Sequence, residues 1–353
     1  MRINQLCLPV LLLFAGAVQA APVIELEIAA ESGLQITAPQ QWLQLLTSIG
    51  IENVRIRGLQ ASDEPAVENR GTAERPRYHV VAILTAREQL RLPGGAFSRS
   101  DAKRLKDYFD RLSADGAERL TAPRNLFGLT ETELRSVLAD LSQPIDFATK
   151  GESPRAIADR LQAKFKLRLA FDANGESTLA TAKPVADELT GLSAGSGLAI
   201  MLRNYGLVLR PEKQRGQAIV YRIAPQSIAS AQGDDTRPGK LSDFTRTTWP
   251  IGWETEKSPG ESAPPLFEQL NAEIAGFTLE ETLAAIGPRL KVPYYVDHAA
   301  LAARKIDPKA VQITVEKTRI SYKRLLDRVL SQARLGCDLR VDEAGLVFLW
   351  IGR

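Results

Sequence analysis

Residues 206–223 read GLVLRPEKQRGQAIVYRI and residues 336–351 read GCDLRVDEAGLVFLWI. Each opens on Gly-x-x-Leu-Arg, passes through a polar turn containing glycine, and continues as an alternating apolar strand. The likeness extends upstream. A shift of 125 residues carries Ser153 onto Thr278, Leu161 onto Ile286, Phe165 onto Leu290, Lys166 onto Lys291 and Asp172 onto Asp297. A shift of 130 carries Gly206, Leu209 and Arg210 onto Gly336, Leu339 and Arg340. The pattern predicts two copies of a small β-α-β-β-α-β-β module, over 144–225 and 266–353.

The physical basis is a match of periods. Ile157, Leu161 and Phe165 recur at helical spacing, whereas Leu167, Leu169 and Phe171 alternate as strand residues do. Neither stripe can stay in water, so helix-on-sheet closure, at roughly 25 cal/mol per Å² of apolar surface, is the main stabilising term. Each copy is small enough to be marginal alone and needs cover from a neighbour. Gly206 and Gly336 fall where a helix gives way to a strand, a place where left-handed backbone angles are common.

The stretch from IDFATKGESPRAIADRLQAKFKLRLAFD through ELTGLSAGSGLAIMLRNYGLVLRPE to AIVYRI resembles the short N-terminal (STN-like) modules of TonB-dependent receptors and the N-domains of secretins. EIAGFTLEETLAAIGPRLKVPYYVD with ISYKRLLDRVLSQARLGCDLRV and LVFLWI looks like a diverged relative of the same module. The chain as a whole resembles secreted proteins of planctomycete bacteria. The module resemblance implies protein–protein contact in the periplasm, by strand pairing or module stacking. It carries no barrel, plug or pore domain with it.

Before the copies, residues 22–143 read as one α+β domain. VIELEI (23–28) alternates, Trp42, Leu45, Leu46 and Ile49 share a helical face, and YHVVAIL (78–84) is a continuous apolar strand. Residues 60–77 are charged and read as a loop. Ser100 is the expected cap of the helix that follows, and Thr130 with Glu133 forms a capping box for the next. Residues 226–265, rich in Ser, Asp, Gly, Pro and Thr, read as a linker that carries the pair Trp249 and Trp253.

Residues 1–20 have the charge, apolar run and small-residue end of a signal peptide, with cleavage expected after Ala20. The mature chain is therefore expected to be exported, periplasmic or extracellular, without a membrane span. With 45 basic and 42 acidic side chains, the balance argues against a nucleic-acid binder held by charge. Cys337 is the one cysteine beyond the leader, so no internal disulfide is expected.

Few residues suggest chemistry. His79 lies within an apolar strand, and His298 follows Asp297 at a strand end. Neither has zinc-ligand spacing, and no nucleophile elbow, Walker loop or HExxH occurs. No catalytic, metal or cofactor residue is assigned, and no cofactor is expected. Cys337 reads as a small buried hydrophobe and Asp172 to Glu176 as a turn. Gly94, Gly95 and Ser100 could form an anion-binding loop at a helix start, against the plainer reading of a turn. Trp249 and Trp253 could meet a partner or a glycan, or could cover the second copy.

The expectation is an exported, non-enzymatic protein that contacts envelope proteins through its modules. The alternatives are a cell-wall or polysaccharide hydrolase, built around His79, Asp101 and Asp107, and a glycan-binding protein.

Overall fold

The computed structural model describes residues 22–72, 75–226, 237–243 and 245–352. The leader and much of the expected linker's first half lie outside them. The fold is α+β, as expected. It divides into two compact units, with the boundary between Ala122 and Pro123. The helix capped by Thr130, expected to close the N-terminal domain at 143, belongs to the second unit. Its Leu134, Val137 and Leu141 are buried with Ile157 and Leu161.

The first unit runs β1 (Val23–Ala30), α1 (Ala38–Ser48), β2 (Val54–Gly58), β3 (Ala66–Asn69), β4 (Arg77–Leu84), β5 (Leu90–Leu92), β6 (Gly95–Phe97), α2 (Ala102–Asp115) and α3 (Ala117–Thr121). The sheet order is β2-β1-β4-β5-β6, with β3 also beside β4. β1 lies parallel to both β2 and β4. Leu26 and Ile28 align with Val80 and Ala82, and Trp42, Leu46, Leu105, Phe109 and Leu112 bury that face. The opposite face carries Glu25, Glu27 and His79. β3 falls inside the stretch read as a loop. Its Val67 opposes Val80 and Glu68 opposes His79, so the one charge within β3 lies on the sheet's polar face.

The second unit continues with α4 (Glu131–Leu141), α5 (Pro154–Gln162), β7 (Arg168–Phe171), α6 (Ala173–Thr181), α7 (Ala194–Arg203), β8 (Leu207–Lys213) and β9 (Ile219–Pro225). Then follow α8 (Pro259–Ser262), β10 (Gln269–Thr278), α9 (Leu279–Leu290), β11 (Tyr294–Val296), α10 (His298–Ala303), β12 (Gln312–Ser321), α11 (Tyr322–Gln332), β13 (Cys337–Val341) and β14 (Val347–Ile351).

Two three-stranded sheets share one plan. In β7-β9-β8 and in β11-β14-β13, the outer first strand is parallel to the middle strand and the hairpin partner is antiparallel to it. Leu161 on α5 and Ile286 on α9 are both buried, on helices that lead into β7 and β11. The halves diverge elsewhere. The second has a ten-residue ribbon, β10 against β12, where the first has only an isolated bridge between Pro144 and Ser193. Asp172 does not open a turn. Its carboxylate accepts from the Gly175 N–H at 2.6 Å and caps α6, just as Asp297 accepts from Ala300 at 2.9 Å and caps α10. Gly206 takes the expected left-handed angle, φ 68°, whereas in the second half Arg334 (φ 56°), two residues before Gly336, does so.

The expected linker is packed at its centre, over residues 248–253. Trp249, Ile251 and Trp253 are buried in the core of the second unit. Trp249 N–H donates to the Leu209 carbonyl of β8 at 2.7 Å, and Trp253 pairs with Val341 of β13. The segment thus lies against the hairpin strand of each half.

Candidate functional site

The best-defined polar constellation joins the two halves of the second unit, and α7 is its axis. Residues 194–202 of this helix are all buried, which leaves its terminal backbone groups to be satisfied by protein. Ser193 precedes it and Ser196 lies in its first turn. The β13–β14 turn supplies the acceptors. Asp342 Oδ2 accepts from the Ser193 backbone N–H at 2.7 Å. Glu343 Oε2 accepts from the Ser193 hydroxyl at 2.5 Å and the Ser196 N–H at 3.0 Å. Its Oε1 accepts from the Ser196 hydroxyl at 3.0 Å, Trp249 Nε1 at 2.6 Å and Trp253 Nε1 at 3.2 Å. A negative group here also meets the positive end of the helix dipole.

Close packing fixes the arrangement. A Cβ on Gly195 would stand 2.6 Å from Trp249 Nε1 and 2.8 Å from Glu343 Oε1. On Gly252, at φ 70°, it would stand 2.6 Å from the Phe348 ring. The two indoles meet edge to face at 5.4 Å, and Phe127 stacks on Trp249 at 5.2 Å. Burial pushes the Glu343 carboxyl above the usual carboxylate range, while the hydroxyl, indole and amide donors pull against it.

At the other end of α7, Arg203 Nε donates to Asp297 Oδ2 at 2.7 Å, with both side chains largely buried. His298 Nε2 lies 3.1 Å from Asp187 Oδ2. This hydrogen bond raises the His298 pKa, against the effect of burial. Asp297 and His298 belong to the second half, and Asp187 and Arg203 to the first. What the arrangement does chemically is hold the two halves together through carboxylates that accept hydrogen bonds.

The residues singled out from the sequence fall elsewhere or take other roles. Trp249 and Trp253 are 3% and 7% exposed, so the faces that a glycan or partner would need are turned into the core. They lie between the two halves of the second unit, and Glu343, about ninety residues away, is the partner that sequence spacing could not show. Pro93 and Gly94 form a two-residue hairpin turn between β5 and β6, with Leu92 opposite Gly95. Ser100 is not the helix cap: Ser98 and Asp101 form the capping box, and the Ser100 hydroxyl bonds Ser98 at 2.7 Å. Gly94 and Gly95 therefore belong to a hairpin rather than to a loop opening a helix.

His79 meets neither Asp101 nor Asp107. Its Nε2 lies 3.2 Å from Glu27 Oε2 on the polar face of the first unit's sheet. Arg57 bonds Glu27 and also Asp63, and holds both carboxyls below their usual range, that of Asp63 at about 2. Cys337 is half-buried at the start of β13, and burial pushes its thiol to about 11. Among the described residues no three His, Cys, Asp or Glu side chains converge as metal ligands, and no helix is long and apolar enough to cross a membrane.

Comparison with family models, curated proteins and solved structures finds no match to this chain.

Proposed function

We propose that this is a non-enzymatic protein of the cell envelope, exported by its leader, that mediates protein–protein interaction or assembly through its small α+β halves. The observation that carries the reading is the ribbon of β10 and β12. Among the described residues these strands have only each other as ladder partners. The outer edge of β12 is closed at Thr314, whose N–H and carbonyl both bond the Gln332 side chain at 3.0 Å. Among the described residues the outer edge of β10 has no such cover, and Phe277 beside it is 54% exposed. An uncovered edge strand is a template for an incoming strand.

The test is a pull-down from envelope extract with the mature protein, alongside an Ala275→Lys, Phe277→Ser variant. Reproducible protein partners that the variant loses are the expected result. Partners retained by the variant would remove the β10 edge from the reading, and no reproducible partner would remove the reading itself.

A hydrolase of cell-wall or polysaccharide material is the second reading, favoured by the approach of His79 to Glu27. Release of soluble fragments from wall material, lost in His79→Ala, would establish it in place of the first.

A further inference from the structure

The open edge of β10 has a symmetry of its own. Gln269, Asn271 and Glu273 are exposed, whereas Leu270, Ala272 and Ile274, which alternate with them, pack into the core that α9 and α11 share. Two exposed aromatics flank this stretch. Phe267 (43% exposed) and Phe277 (54%) each stand five positions from Ala272. Resting on the reading that this edge receives a strand, we propose that the strand is β10 of a second copy of this chain, paired antiparallel about a two-fold axis at Ala272.

Register decides the occupant. A two-fold axis makes every contact occur twice, and directly opposed residues share a face of the sheet. With the axis at Ala272, Leu270 of each copy opposes Ile274 of the other, and the two Ala272 methyls meet between them. The packed row of the ribbon thus continues across the junction. On the exposed face Asn271 opposes Glu273 of the other copy, an amide beside a carboxylate. The neighbouring registers are worse. An axis at Glu273 sets two carboxylates against each other, and an axis at Asn271 sets Ile274 against Glu268.

The backbone suits the same register. The Glu268 carbonyl faces β12, where it accepts from the Tyr322 N–H at 3.2 Å. Backbone direction alternates along an antiparallel strand, so Asn271 and Glu273 present their N–H and carbonyl groups to the open side. These are the two residues that the axis at Ala272 sets opposite each other. At each end of the ladder, Phe267 of one copy comes to where Phe277 of the other stands. Among the described residues of the second unit the exposed large apolar side chains are Leu241, Phe267, Phe277 and Leu346, and the pairing uses both aromatics. A bulge marked by Gly276 (φ 77°) ends the regular pleat. The ladder is therefore short, and the pairing is reversible, in the micromolar range.

Sedimentation velocity on the full mature chain, from about 1 to about 100 µM, tests this. Wild type should pass from monomer to dimer over that range. Asn271→Glu opposes two carboxylates twice per dimer and should weaken association about tenfold. Adding Glu273→Asn exchanges the two residues and should restore the wild-type profile. Both positions are exposed, so neither change touches the core. A chain that stays monomeric throughout, or an Asn271→Glu variant that dimerises as wild type does, would overturn the self-pairing. If the chain is monomeric while Ala275→Lys, Phe277→Ser still loses envelope partners, the edge receives another protein's strand; this inference then falls and the proposed function stands. A dimer that obeys the exchange, from a chain that captures no envelope protein, supports this inference and removes the wider role.

Discussion

The Trp249 indole N–H donates to Glu343 Oε1 at 2.6 Å, across 94 positions of sequence. This contact converts an apparent tether into part of a core. Trp249→Phe keeps the stacking on Phe127 but removes one donor from a buried carboxyl. We expect a loss of about 1–3 kcal/mol, read as a lower urea midpoint for the second unit. An unchanged midpoint would mean that the remaining donors suffice.

Asp297 has two tasks: it caps α10 and it receives Arg203. Asp297→Asn retains an amide oxygen for the cap but leaves the Arg203 guanidinium without its counter-charge. Breaking such a pair from one side costs about 3 kcal/mol. Arg203→Met should cost less, because it removes the charge instead of stranding it. The comparison needs only two melting curves, and the order of the two variants is the point at issue.

His298 gives a signed pH effect. Its pKa is raised by Asp187, so the pair stabilises below about pH 6.5 and loses that contribution as pH rises through the folded value. Wild type should exceed His298→Asn in stability at pH 5.5, and the two should converge by pH 9. Parallel stability curves would show that the contact does not titrate in this range.

Cys337 should be a poor nucleophile in the native protein. With its thiol pushed to about 11 by burial, thiolate is scarce at pH 8. An aromatic disulfide reagent should react at least tenfold faster once the chain is unfolded in guanidinium. Equal rates would place the sulfur at the surface.

Local chemistry was legible in the sequence wherever partner and signal lay a few residues apart. Thr130 and Glu133 form the capping box that their spacing announces, and Thr278 caps α9 through the Glu281 N–H. The strand and helix periods located β7, α5, β11 and α9, because each stripe buries against its own neighbour. The errors have equally physical causes. Ser100 lost the cap to Ser98, because Asp101 reaches back to the Ser98 N–H and a short 3-10 turn begins first. The polar composition of 226–265 signalled a linker, but composition averages over Trp249, Ile251 and Trp253, which find Leu209, Val341 and Glu343 at long range. β3 was hidden because strand residues on a solvated sheet face look like loop residues.

The segment from Trp249 to Trp253 touches β8 on one side and β13 on the other. The edges of β8 and β13 thus each give backbone groups to the same five-residue stretch. A strand arriving from elsewhere could not be added at that seam without displacing both indoles from the core. The connector therefore acts as a shared wedge between two small sheets.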